Sequence, residues 1–260
     1  MRILNKSDTL FCYMVSVKEK TDKKTEEAPK DNIRELFNVG AHYAYTRSRR
    51  HPSAKPYIFG AKNKTEIFDL EKTEEKIREV EGFVEELGRK GSVILFVAGK
   101  NEARKPIENN ATKIDQPYVS GRWVGGTLTN FSEIGKRIKR LDDLESQREK
   151  GTLGKYTKKE RLLMDREIES LKRNFGGIRK MPELPAALFI VDVGREYTAL
   201  AEAKQLGIPV VTLSNSNRDL SKADISIPGN DSVQKSIDYV LSRVVEAYEK
   251  GKKNPVSEQE

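Results

Sequence analysis

Two groups of residues in this 260-residue chain combine guanidinium groups with aromatic rings. The first is Arg122 beside Trp123, the chain's only tryptophan, followed by Val124 and the pair Gly125-Gly126. The second runs from His42 through Tyr43 and Tyr45 to Arg47, Arg49 and Arg50. A guanidinium donates paired N–H groups to phosphate, a ring stacks on a base or ribose, and adjacent glycines let backbone approach a ligand closely. That chemistry is the recognition of structured RNA. The same residues also fit a quieter pattern, in which Trp123 caps the edge of a core and the tyrosines tuck against a sheet beside a basic loop.

Catalysis and metal binding find less support. His42 and His51 are the only histidines, with no acidic residue between them and no paired ligand spacing. The single cysteine, Cys12, excludes an internal disulfide and a cysteine-cluster zinc site. The segment Ala98-Gly-Lys-Asn-Glu-Ala103 has one glycine and no phosphate-cradling G-x-x-x-x-G-K-[ST] pattern, and Asp192-Val-Gly-Arg195 lacks the other glycines of a dinucleotide fingerprint. No cofactor is therefore expected. Asp192 stands where a catalytic carboxylate could, at the end of an apolar run, so one alternative is a nucleotide-binding domain or enzyme using Asp192 and the segment Asn215 to Asn217.

Lys and Arg number 48 against 40 Asp and Glu, a net charge of +8, and the excess is segregated. Between Asn32 and Glu66 stand seven basic side chains and two acidic ones; between Asn130 and Phe175, thirteen and nine; between Pro182 and Ser232, four and seven. A merely solubilising surface would not divide this way, so a polyanion facing the first two regions is expected. No apolar run approaches the roughly 20 residues that span a bilayer. The patch Leu10 to Val17 has no small-residue cleavage site before Lys18, and the reading is cytosolic with no membrane partner.

The elements that would carry these residues can be read from periodicity. Residues 1–31 read as a disordered tail, because Thr21 to Lys30 is rich in Lys, Glu and Thr and contains Pro29. Met14 opens a start-like run, which makes the first thirteen residues a candidate gene-start error. A short helix holds Ile33, Leu36 and Phe37, then Pro56 to Phe59 and Glu66 to Asp69 form a hairpin. Leu70, Ile77, Val80, Val84 and Leu87 mark one face of a helix. The runs Val93 to Ala98, Ala187 to Asp192 and Pro209 to Leu213 do not alternate and read as strands buried on both faces, with a shorter strand at Ala223 to Ile227. Helices follow over Glu196 to Leu206 and from Val233 to Tyr248, so residues 32–129 and 176–250 form one layered α/β sheet domain, and 251–260 a flexible tail.

Residues 130–175 interrupt the sheet. Phe131, Ile134, Ile138 and Leu141 in one arm and Met164, Ile168, Leu171 and Phe175 in the other share helical spacing. Folded back, Phe131 meets Phe175, Ile134 meets Leu171, Ile138 meets Ile168 and Leu141 meets Met164. Thr157 to Glu160 supplies a capping box, and Gly151 and Gly154 the turn. An antiparallel coiled-coil hairpin about 30 Å long is expected at roughly 1.5 Å per residue.

Several motifs in order then resemble one family. L-F-N-V-G-A-H-Y at Leu36 to Tyr43, K-P-Y-I-F-G-A-K-N at Lys55 to Asn63, P-Y-V-S-G-R-W-V-G-G-T-L-T-N-F at Pro117 to Phe131, T-K-K-E at Thr157 to Glu160, G-G-I-R-K-M at Gly176 to Met181, L-F-I-V-D-V at Leu188 to Val193, L-G-I-P-V-V at Leu206 to Val211 and I-P-G-N-D at Ile227 to Asp231 resemble the bacterial small-subunit ribosomal protein two (S-two) family from about Leu36 to Tyr248. The resemblance implies a flavodoxin-like parallel sheet of about five strands flanked by helices, with an inserted antiparallel coiled-coil hairpin. It implies a structural protein of the small ribosomal subunit with no reaction of its own, lying on the solvent side where head meets body. Its implied partners are small-subunit rRNA, other small-subunit ribosomal proteins and, in many bacteria, the large mRNA-binding ribosomal protein of repeated OB-fold domains. By motif position the implied RNA-facing residues are His42, Arg47, Arg49, Arg50, Lys62, Lys64, Arg122, Trp123, Lys136, Arg137, Lys158 and Lys159. The chain departs from the family at Ala44-Tyr45-Thr46-Arg47, where G-H-Q-T is usual, and at Asn215 to Leu220, where D-T-N-x-D-P is frequent.

Overall fold

Helix α1 (Lys30–Asn38) opens the computed structural model, which describes residues 30–151 and 156–255. The N-terminal tail through residue 29, the start at Met14, Gly154 at the hairpin turn and the last five residues fall outside the described residues. After α1 come β1 (Tyr43–Thr46), β2 (Ile58–Lys62) and β3 (Thr65–Phe68), an antiparallel sheet in the order β1-β3-β2. The expected hairpin is its β2-β3 half. The strand β1, which periodicity does not mark, completes it by pairing Tyr43 with Ile67 and Thr46 with Thr65.

Helix α2 (Leu70–Arg89) is capped by Asp69, whose carboxylate accepts from Glu71 N. Then follow β4 (Ile94–Val97), α3 (Asn101–Lys113), β5 (Tyr118–Val119), α4 (Phe131–Glu149), α5 (Lys158–Phe175), β6 (Ala187–Val191), α6 (Tyr197–Gln205), β7 (Val210–Ser214), β8 (Ile225–Pro228) and α7 (Gln234–Lys253). Five of these strands form one parallel sheet in the order β5-β4-β6-β7-β8. That is the flavodoxin-like order: the chain steps from β4 outward to β5, returns past β4 to β6, and continues to β8.

Strand pleating divides the apolar runs between two cores, which is why they do not alternate in sequence. Phe96, Phe189, Val191, Leu213 and Ile227 face a layer made by α1, α2, α3 and α7. Leu95, Val97, Leu188, Ile190 and Val210 face the other layer, with α6, Trp123 and the α4/α5 hairpin. In the first layer α2 and α7 approach until their backbones touch. A Cβ on Gly88 would lie 2.3 Å from Tyr248 O, and one on Gly251 would lie 2.0 Å from Glu85 O, so only glycine fits at this crossing. Gly251 therefore lies inside α7, which runs on to Lys253.

The hairpin forms, but its arms are offset from the register given by matching the two apolar stripes. That register puts Glu145 opposite residue 160 or 161. Instead Glu145 accepts from Lys172 at 3.5 Å and Arg179 at 2.6 Å, Asp142 pairs with Arg179, and Arg148 reaches Asp165 at 3.7 Å, while Arg140 spans the arms to Glu167 at 3.3 Å. Arg140–Glu167 stays within two residues of that register, whereas Arg148–Asp165 and Lys172–Glu145 depart from it by two turns or more, with α5 displaced toward the tip. The cause is a third surface that two-helix matching omits. Ile134, Ile138, Leu141 and fully buried Leu144 share one core with Ile178, Met181 and the sheet, so the base of α4 packs beyond the end of α5. At the far end Leu162 and Leu163 are left exposed.

Candidate nucleic-acid interface

The small sheet carries the first group of candidate residues. A 3-10 turn at Arg47–Arg49 follows β1 and leaves Arg47 and Arg49 exposed. Arg50 turns inward and pairs with buried Glu66 at 2.7 Å, making it a structural residue. The next turn, Pro52–Tyr57, is tied to the large sheet by His51 N donating to Ser216 O (2.8 Å) and Leu220 N donating to Ser53 Oγ (3.0 Å). Lys62 precedes the two-residue β2-β3 turn and Lys64 lies within it, Asn63 and Lys64 having φ of 50° and 66°, the pattern of a type I′ turn. Both lysines are exposed.

His42 does not join this exposed set. Its ring is buried, stacked on Phe37 with centroids 4.4 Å apart and tilted against Tyr43 at 4.1 Å. Burial holds its imidazole below the usual value of 6.5, so it is uncharged at neutral pH. A ring between two half-exposed aromatics behaves as an apolar spacer in the chain that leads into β1.

Trp123 is buried as well, and its indole Nε1 donates to Glu202 Oε1 at 2.9 Å. Glu202, on α6, gathers the whole turn into the hairpin. Its Oε1 also accepts from Gly126 N (2.9 Å), and its Oε2 accepts from Leu128 N (3.0 Å), Thr129 N (3.1 Å) and Thr129 Oγ1 (3.2 Å). Burial, which acts to raise its pKa, is outweighed by these bonds, and the carboxyl titrates below its usual 4.5. Gly126 has φ of 88°, so the turn needs the freedom of glycine there. Arg122, one residue before this locked joint, stays exposed. Nothing local in the sequence marks Glu202, because its partners lie more than 70 residues away.

On the hairpin, Lys136 is paired with Glu133 at 2.5 Å, whereas Arg137 is exposed without an ion pair among the described residues. Lys158 and Lys159 open α5 behind the Thr157/Glu160 capping box, and both are exposed. These four do not form one patch. Arg137 lies near the base of α4 and Lys158 near the tip, separated by about a dozen helical residues, or roughly 18 Å.

The strand ends, where an enzyme reading would place its chemistry, are filled from within. Lys100, after β4, bridges Asp192 and Asp231, both at 2.8 Å, and Arg218 adds a second cation to Asp192 at 2.7 Å. Both carboxylates are fully buried. For Asp192, burial is outweighed by hydrogen bonds from Lys100 and Arg218, and its carboxyl falls below the usual 3.8. For Asp231, held by Lys100 and Ser232 Oγ, burial wins and the carboxyl rises. Asp192 also has φ of 66° and caps the following turn through Gly194 N and Arg195 N. It is a structural node, and Arg218 belongs to the segment in which the chain departs from the family pattern. Among the described residues, no group of three or more His, Cys, Asp or Glu is placed to hold a metal ion, and no helix is long and apolar enough to cross a membrane.

A doubly wound sheet whose ligand crevice is closed by its own ion pairs, and whose free cations stand on turns and a projecting hairpin, belongs to the class of basic scaffold proteins that bind along polyanions. Comparison with protein families makes this specific. The model for Ribosomal protein S2 matches residues 36–251, most of the chain, and the chain belongs to that family. It is a structural constituent of the small ribosomal subunit, located in the cytoplasmic ribosome, with rRNA and ribosomal proteins as partners and no catalytic activity of its own.

Proposed function

We propose that Arg47, Arg49, Lys62 and Lys64 on the small sheet, Arg122 at the hairpin base, and Arg137, Lys158 and Lys159 on the hairpin contact phosphates of small-subunit rRNA. One contrast carries this reading. Along α2, Lys72, Lys76, Arg78, Arg89 and Lys90 each sit 2.5–3.5 Å from an acidic partner, whereas none of the eight proposed contacts has an ion pair among the described residues. Unpaired exposed cations retain their full charge for an outside partner. Lys64 adds weight, since it stands at a left-handed position that glycine ordinarily fills. Arg50, Lys136, His42 and Trp123 serve the frame: the first two are paired internally and the last two are buried.

The test is the double variant Arg47→Glu, Arg49→Glu, with Arg50 kept so that Glu66 retains its partner. Occupancy in purified small subunits, measured by quantitative mass spectrometry, should fall while the thermal unfolding of the free protein stays unchanged. Occupancy equal to wild type would end the proposal.

A second reading concerns the hairpin tip, where Leu162 and Leu163 are 52% and 54% exposed beside Lys158, Lys159 and Arg161. An apolar pair ringed by cations suits a protein neighbour with an acidic rim, such as the mRNA-binding ribosomal protein of repeated OB-fold domains. Leu162→Asp with Leu163→Asp should then lower the content of that protein in small subunits without lowering the content of this chain.

A further inference from the structure

Between the hairpin base and the free edge of the large sheet lies a cleft of about 760 Å³. Its walls are Arg104 of α3, Tyr118 and Arg122 around β5, Lys172 and Arg173 at the end of α5, and Arg179 after the turn that follows it. We infer that this cleft receives a sugar-phosphate segment of rRNA, as a second binding site set apart from the small sheet. The inference rests on the rRNA reading above and extends it to Arg104 and Arg173, which no sequence motif singled out.

The charge balance supports an anionic occupant. Glu108 is the one acidic residue on the wall, and its carboxylate is taken up by Ser120 Oγ at 2.6 Å. Arg179 is held by Asp142 and Glu145, and Lys172 by Glu145 at 3.5 Å. Arg104, Arg122 and Arg173 are all exposed and have no ion pair among the described residues. Three free guanidinium groups around one concavity offer paired donors to phosphate oxygens. Gly121, Gly176 and Gly177 also line the cleft; a Cβ on Gly177 would strike Tyr118 O, so that glycine serves internal packing, whereas Gly121 faces open space. The bare backbone at Gly121 leaves room for a polymer backbone to approach.

The same lining argues against a protein segment as occupant. Val119 and Leu141 are buried, and Tyr118 is the only partly exposed aromatic, so a peptide would find little apolar surface to cover. The exposed edge of a tyrosine ring among arginines suits a ribose or base instead.

Two measurements on the full chain test the inference. In the first, Arg104→Glu with Arg173→Glu is titrated onto deproteinised small-subunit rRNA across a salt series, beside wild type and the Arg47→Glu, Arg49→Glu variant. Losing two phosphate contacts should lower the slope of log affinity against log salt by about 1.5. In the second, Gly121→Cys in a Cys12→Ser background carries a photo-crosslinker and is assembled into small subunits, where the crosslink should fall on rRNA. An unchanged slope in the Arg104/Arg173 variant, with a reduced slope in the Arg47/Arg49 variant, overturns the cleft proposal and leaves the small-sheet reading standing. Unchanged slopes in both overturn both. A crosslink to a ribosomal protein, or none at all, refutes RNA as the occupant.

Discussion

Removing the Glu202 carboxylate should unlock the hairpin from the sheet, and the chain's single tryptophan reports on it directly. Glu202→Ala deletes an acceptor that serves Trp123 Nε1, Gly126 N, Leu128 N, Thr129 N and Thr129 Oγ1. Two of these donors, Trp123 Nε1 and Leu128 N, are buried and gain no water in exchange. Each buried donor left unsatisfied costs about 1–3 kcal/mol, so roughly 4 kcal/mol is expected, with the half-buried donors adding little once solvated. Glu202→Gln keeps one oxygen but turns an NH₂ toward the remaining donors, and about 2–3 kcal/mol is expected for it. The sign with pH follows from the lowered carboxyl. Its contribution is complete above the unfolded value near 4.5 and fades as pH falls through the still lower folded value, so the gap between wild type and Glu202→Gln should close in acid. Urea unfolding followed by Trp123 emission gives the energies, and amide exchange at Gly126, Leu128 and Thr129 gives the location. A Glu202→Ala protein within 1 kcal/mol of wild type, with those amides still protected, would refute the reasoning.

Two further perturbations address the strand ends and the type I′ turn. Asp192→Asn should cost about 3–5 kcal/mol at neutral pH because it strips partners from both Lys100 and Arg218, whereas Asp231→Asn should cost clearly less, since Lys100 keeps Asp192; equal losses in chemical denaturation would contradict the unequal roles. Asp192 contributes fully above its usual 3.8 and loses its contribution in acid, while Asp231, raised by burial, opposes folding as it ionises, so the Asp192→Asn deficit should shrink below about pH 4. Lys64→Gly should raise stability by about 0.5 kcal/mol by relieving a left-handed lysine, yet weaken rRNA binding. A variant both more stable and equally tight in filter binding would show that Lys64 is not kept for phosphate.

What was legible in the sequence tracks how local the controlling interaction is. β4, β6 and β7 announce themselves because both faces of each strand are buried, which leaves unbroken runs such as Ala187 to Val191. The helix α3 was not legible. Its stripe Ala103, Ile107, Ala111 and Ile114 is there at spacings of 4, 4 and 3, but it is diluted by Lys, Glu and Asn and interrupted by Pro106. β5 is two residues long and gains strand character only by pairing with Phe96 and Val97. His42 reads as a functional residue beside tyrosines and arginines, and only the fold shows that Phe37 covers it. The reading of Trp123 as a cap on a core edge was legible, but the acceptor that fixes it was not, since Glu202 sits on a helix on the far side of the inserted hairpin.

In a doubly wound sheet the natural ligand site is the crevice beyond the strand ends, at the point where strand order reverses between β4 and β6. Here Lys100 and Arg218 occupy that crevice and are neutralised by Asp192 and Asp231, so its charge is spent on holding the loops after β4, β6, β7 and β8 together. The basic turn after β1 is bound to the same loops through Ser216, which accepts from His51 N and, by its hydroxyl, from Tyr45 N. Arg47 and Arg49 therefore stand on a frame fixed before any partner arrives, and a phosphate contact there carries a smaller ordering cost than one made by a mobile tail. The closed crevice and the exposed cations are two ends of one arrangement. If loosening the crevice by Asp192→Asn weakens rRNA binding as much as removing Arg47 and Arg49 themselves, the frame and the contacts act as a unit.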